Sequence, residues 1–107
     1  MAKSKRHKRA DSDNEAFDLV MEMMAIPGAS GQERRIAEFV SKKLLAAGAD
    51  PKAIRFDNAQ RHTLLDGECG NLIFKLPGTA RGPRRMLMAH LDTVPICVGS
   101  RPKRKGN

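Results

Sequence analysis

Tryptophan and tyrosine are absent from this 107-residue chain and its four aromatics are all phenylalanine, so any core must be built from aliphatic side chains and will be thin. Cysteine is scarce as well. Cys69 and Cys97 stand 28 positions apart without C-x-x-C spacing, which argues against a zinc knuckle or a redox dithiol and leaves two expected free thiols. No run approaches the roughly 18 apolar residues that a membrane-spanning helix needs. The basic start is followed by Ala10-Asp11-Ser12-Asp13-Asn14-Glu15, where an export signal would place an apolar stretch. Together these absences predict a soluble chain in a reducing, cytoplasmic setting.

Acid is missing from both ends. All 12 Asp and Glu lie between Asp11 and Asp92, so the net charge of +8 belongs to the termini. Lys3, Lys5, Arg6, Lys8 and Arg9 supply one cluster, and Arg101, Lys103, Arg104 and Lys105 the other. Such clusters could contact phosphates. No aromatic is interleaved with them for base stacking, so solvated tails are the simpler expectation; a small basic nucleic-acid-binding protein, or a non-catalytic structural or interaction module, is the rival reading of the chain.

The pattern divides into a disordered basic tail over 1–11, a folded segment over 12–95 and an irregular basic tail over 96–107. Within the folded segment, Ser12 to Glu15 fits a capping box, and Phe17, Val20, Met21 and Met24 fall on one helical stripe, predicting a helix over 13–25 that Pro27-Gly28 stops. A second box, Ser30 to Glu33, opens a helix over 31–47 with Ile36, Phe39, Val40, Leu44 and Ala47 facing inward and Gly48 as its C-terminal cap. Ile54-Arg55-Phe56 reads as a short strand. The runs 63–65 and 71–76, separated by Asp66-Gly67, read as a hairpin. The nearly continuous apolar run Arg85 to Leu91 reads as a last strand, buried on both faces and covered by the two helices. The fold class is therefore α/β.

Two residues apart on a strand, His90 and Asp92 would emerge on one face at its carboxyl end, where open α/β sheets bind ligands. A neutral His can ligate zinc while a carboxylate holds its other ring nitrogen. By spacing alone such a His is more often structural, hydrogen-bonded to a neighbour. His62 and Cys97 are conceivable further ligands, against a simpler reading as an exposed His and a free thiol.

The segment His90-Leu91-Asp92-Thr93-Val94-Pro95 resembles the first metal-site motif of the zinc-dependent aminopeptidase, deacylase and carboxypeptidase family, which includes peptidase T, acetylornithine deacetylase and carboxypeptidase G. Ala25-Ile26-Pro27-Gly28-Ala29-Ser30-Gly31-Gln32-Glu33 looks like that family's first helix junction, and Gly70-Asn71-Leu72-Ile73 is similar to its strand before the motif. The resemblance covers about Glu15 to Pro95 and is nearest to the tripeptide aminopeptidases. It implies a partial zinc-exopeptidase-like domain, two helices on a small mixed sheet, with His90 as a ligand of one of two zinc ions and Asp92 as its catalytic partner. A bridging Asp, a Glu general base followed by a Glu ligand, a further metal-binding acid or His, and a distant His would also be required, and none has a position here. Ile96-Cys97-Val98 departs from the small Pro- or Gly-rich residues often found at that point. The resemblance thus implies a peptidase fragment, its chain ending 15 residues past Asp92, inactive alone and prone to self-association through unpaired strand edges.

Overall fold

The computed structural model describes residues 2–106, with side-chain surroundings from residue 11 onward; residues 1 and 107, the outer ends of the two expected tails, lie outside it. Helix α1 spans Ala2–Ala25. It starts well before the predicted Asp13 because helical geometry continues through the Ala-, Lys- and Arg-rich basic segment, whose residues have high helix propensity. Ser12 consequently sits inside α1 rather than at its start. No Gly or Pro interrupts the helix before Pro27, which disfavours helical geometry at Ile26 and ends it.

Helix α2 spans Arg34–Ala46, and its predicted stripe is partly realised: Ile36 is 4% exposed, while Phe39, Val40 and Leu44 are half-buried and Ala47 is exposed. Its end is built as the sequence predicts. Gly48 takes φ +99°, its N–H bonds the Leu45 carbonyl at 3.0 Å, and the Ala49 N–H bonds the Leu44 carbonyl at 3.0 Å. That paired closure needs a left-handed residue, which glycine adopts without a Cβ penalty.

Asp50 then caps a single turn over Pro51–Ala53, accepting from the Lys52 N–H at 2.9 Å, and delivers the chain into strand β1, Ile54–Phe56. Its partner is strand β2, Leu72–Phe74, antiparallel, in the register Ile54↔Phe74, Arg55↔Ile73, Phe56↔Leu72. The expected hairpin between 63–65 and 71–76 does not form. The Thr63 hydroxyl bonds the Gln60 and Leu65 carbonyls at 3.1 and 2.7 Å, and the Gly67 N–H bonds the Leu65 carbonyl at 2.9 Å, so this stretch is folded back on itself. β2 is left to pair with the earlier strand.

The predicted last strand is also corrected. Arg85 to Leu91 is irregular and joins no ladder, and Leu87 is 99% exposed with Met86 and Met88 nearly as open. Both described strands pair only with each other, so the described sheet is two-stranded and antiparallel rather than mixed. No residue of either strand is buried, so the helices do not cover the sheet as expected. The architecture is a small α/β arrangement: two helices and one short strand pair.

This arrangement is open. Its radius of gyration is 17.0 Å, where a compact domain of this length has about 13 Å. Its accessible surface is 9909 Å², where a folded monomer of this mass has about 5,900 Å². Among the described residues only Ile36 and Ala37 are buried apolar side chains, and the α1 stripe of Phe17, Val20 and Met24 stays half-exposed. An ion pair, Glu22 to Lys43 at 3.8 Å, spans α1 and α2 at the surface. Such exposed pairs contribute little.

Candidate functional site

The junction between α1 and α2 positions the site. Gly28 is buried, and its carbonyl accepts from the Thr93 N–H at 2.8 Å and from the Thr93 hydroxyl at 3.4 Å. Ala29 and Thr93 form a parallel bridge. Gly31 follows with φ +86°, a turn that suits glycine. The Glu68 N–H bonds the Gly31 carbonyl at 3.0 Å, and the Arg34 guanidinium donates to the Glu68 carbonyl, tying the 57–71 connection to the same corner. The helix junction and the stretch carrying His90 and Asp92 are thereby brought into register across more than 60 positions.

This packing redirects the predicted capping box. The N-cap residue of α2, Glu33, does not cap its own helix but accepts from the Gly31 N–H at 2.8 Å; Glu68 Oε2 accepts from the first-turn Arg34 N–H at 3.4 Å, and the Ser30 hydroxyl donates to Asp92 Oδ2 at 2.5 Å. Sequence reasoning read Ser30 only as a local cap. Its actual partner is 62 positions away, and no local pattern carries that information.

On the other side of the carboxylate, His90 Nδ1 lies 3.1 Å from Asp92 Oδ1 and 3.0 Å from the Asp92 carbonyl oxygen. The Ser30 hydroxyl holds the Asp92 carboxyl below its ordinary range; partial burial opposes this, and the nearby His90 ring assists it. Asp92 is thus ionised at neutral pH and can only accept. Both oxygens facing Nδ1 are acceptors, so Nδ1 carries the proton and the neutral ring presents a lone pair at Nε2. The His90 side chain is 85% exposed and that of Asp92 36% exposed.

A lone pair at Nε2 beside a carboxylate-held Nδ1 suits one metal-ligand position. A catalytic zinc takes three protein ligands. Among the described residues no three His, Cys, Asp or Glu side chains are grouped to hold a metal ion. His62 is exposed at the end of a turn over Ala59–His62, and Cys97 ends an exposed turn over Pro95–Cys97. The donor set is therefore a single nitrogen, two ligands short of a catalytic zinc site, and no catalytic step follows on these residues alone. Both cysteines are free thiols; burial pushes that of Cys69 up, keeping it protonated at neutral pH.

The terminal basic residues fall in two clusters. Lys3, Lys5, Arg6, Lys8 and Arg9 lie within the first turns of α1, and Arg101, Lys103, Arg104 and Lys105 are exposed on irregular chain. Arg104 reaches α1: its guanidinium lies 4.4 Å from the Phe17 ring centroid and donates to Asn14 Oδ1 at 3.4 Å. No described helix is long and apolar enough to cross a membrane. No protein-family model, curated protein or solved structure matches this chain.

Proposed function

We propose that the chain contributes the first imidazole ligand, His90, and its orienting carboxylate, Asp92, to a zinc-dependent peptidase site of the aminopeptidase, deacylase and carboxypeptidase type, and that it is catalytically silent by itself. The observation that carries this reading is the hydrogen-bonded run from Ser30 through Asp92 to His90, which joins two of the three stretches that resemble that family. Zinc, when bound in such a site, polarises a peptide carbonyl and lowers the pKa of water to about 7. The residues here do a narrower task. Ser30 and Asp92 hold a proton at His90 Nδ1 and leave Nε2 free to ligate.

Titrating the chain with zinc should perturb the His90 ring resonances first, and His90→Asn should remove that response. An unperturbed His90 at saturating zinc would overturn the ligand role. Incubation with zinc or cobalt and a set of di- and tripeptides should release nothing above buffer. Turnover that a chelator abolishes would overturn the silence.

A second reading, a phosphate-binding surface for nucleic acid, is favoured by one observation: the N-terminal cations lie on a helix, to which Arg104 also ties the C-terminal cluster. Asp11, Asp13, Glu15 and Asp18 occupy the next turns and would repel phosphates, confining any footprint to the ends. Under this reading, filter binding at low salt gives micromolar affinity, with log K falling against log salt at about −0.9 per neutralised phosphate. A salt-insensitive signal, or none, removes it.

A further inference from the structure

We propose that Ser30 is a positioning residue that fixes the Asp92 carboxylate so that His90 keeps its proton on Nδ1 and its lone pair on Nε2. The inference rests on the ligand role of His90 but concerns a different residue. An exposed imidazole whose partner among the described residues sits two positions away has little to hold it, because the intervening backbone and the Asp92 side chain can both rotate. Ser30 supplies the missing constraint from outside that stretch. It is anchored by the Gly28 carbonyl, which receives both Thr93 donors, and by the Ala29 to Thr93 bridge, so its hydroxyl meets Asp92 from a fixed point.

The direction of the hydrogen bonds matters. A serine at a helix N-cap ordinarily accepts from a backbone N–H of the first turn, but Ser30 lies three residues ahead of the α2 N-cap, Glu33. Here the Ser30 hydroxyl donates to Asp92 Oδ2, leaving Oδ1 to accept from His90. Occupying Oδ2 with a donor orients the carboxylate and satisfies the oxygen that would otherwise compete for the ring proton. Ser30 touches Asp92 and not the imidazole, which separates this arrangement from a serine nucleophile, where the hydroxyl would meet the free ring nitrogen.

The test is nitrogen-15 spectroscopy of the His90 ring in the full chain, at a pH where the ring is neutral. The expected wild-type spectrum has a protonated Nδ1 and an unprotonated Nε2. Ser30→Ala should lower the ratio of that tautomer to the other by roughly 3-fold to 10-fold, the worth of one net hydrogen bond. Ser30→Thr, which keeps a hydroxyl, should restore it. Three outcomes overturn something specific. An Nε2-protonated ring in the wild type removes the ligand role of His90 itself. An unchanged ratio in Ser30→Ala, with the wild type as expected, removes the role of Ser30 alone. Loss of the tautomer in both variants, together with loss of Thr93 amide protection, makes Ser30 merely structural and overturns the proposal.

Discussion

Gly70→Ala should cost about 3 kcal/mol, the upper end of ordinary overpacking, and should unpair β1 from β2. A Cβ at Gly70 would fall inside van der Waals contact with the Asp57 carbonyl oxygen and Oδ1, and 2.6 Å from the Asp57 carbonyl carbon. Backbone opposes it, so no rotamer change relieves the overlap. Relief would move Asp57, whose carboxylate accepts from the Ala59 N–H at 3.0 Å and from the Asn71 N–H and side-chain amide at 2.7 and 3.0 Å. The Asp57 N–H also extends the ladder, bonding the Asn71 carbonyl at 3.1 Å. With three residues in each strand, the pair has little to spare once that clip opens, since an isolated two-stranded sheet is marginal in water. Hydrogen exchange at β1 and β2 should accelerate together and the melting midpoint should fall. Gly78→Ala, with nothing within 4 Å of its added Cβ, is the matched control and should change neither. Equal melts for the two variants would sink the argument.

The same clip sets an acid limit. The Asn71 side-chain amide, then the Ala59 and Asn71 backbone amides, hold the Asp57 carboxyl below its ordinary value. Its folded value is depressed, so the stabilisation is complete above the unfolded carboxylate value of about 3.9 and fades as pH falls through the folded value. Loss of the strand pair on acidification therefore belongs below about pH 4.

What was legible in the sequence is what is local. The α2 stripe around Ile36 and its closure at Gly48 depend on residues within a few positions and were readable from spacing. The approach of His90 to Asp92 is equally local and survives although no strand forms there. The partner of β2 was not readable, because Asp57 selects β1 by gripping Asn71 across 14 positions, while Asp66-Gly67 offers a nearer and misleading turn. Apolar character at 85–91 predicts burial, but a strand is buried only if neighbours pair with it and helices cover it, and neither occurs among the described residues. Ser30 was hidden for a related reason: a capping box and a long-range donor look the same in a single sequence.

Ile36→Ala should have the other large effect, about 2 to 5 kcal/mol by the usual cost of emptying a buried aliphatic site. Ile36 and Ala37 are the buried apolar side chains described, so little else can take up the loss. The consequence reaches the site. Ile36 seats against Gly28, its Cγ2 only 3.1 Å from where a Gly28 Cβ would stand, with the Leu91 carbonyl also close by at 3.7 Å from that point. Gly28 in turn holds Thr93, and this junction presents Ser30 to Asp92. Removing three carbons from Ile36 should therefore loosen the 28–31 and 91–93 stretches together. Thr93 amide protection should drop and the His90 tautomer preference should fade, as in Ser30→Ala, although neither Ser30, Asp92 nor His90 is changed. Ile36→Val, which removes one methyl, should cost only about 0.5–1.5 kcal/mol and retain the Nδ1-protonated ring. The decisive comparison is Thr93 exchange in the two variants at one temperature below both melts. If Ile36→Ala lowers the melting midpoint while Thr93 stays as protected as in Ile36→Val, the buried residue supports α2 alone, and the hydrogen-bonded run from Ser30 to His90 stands without it.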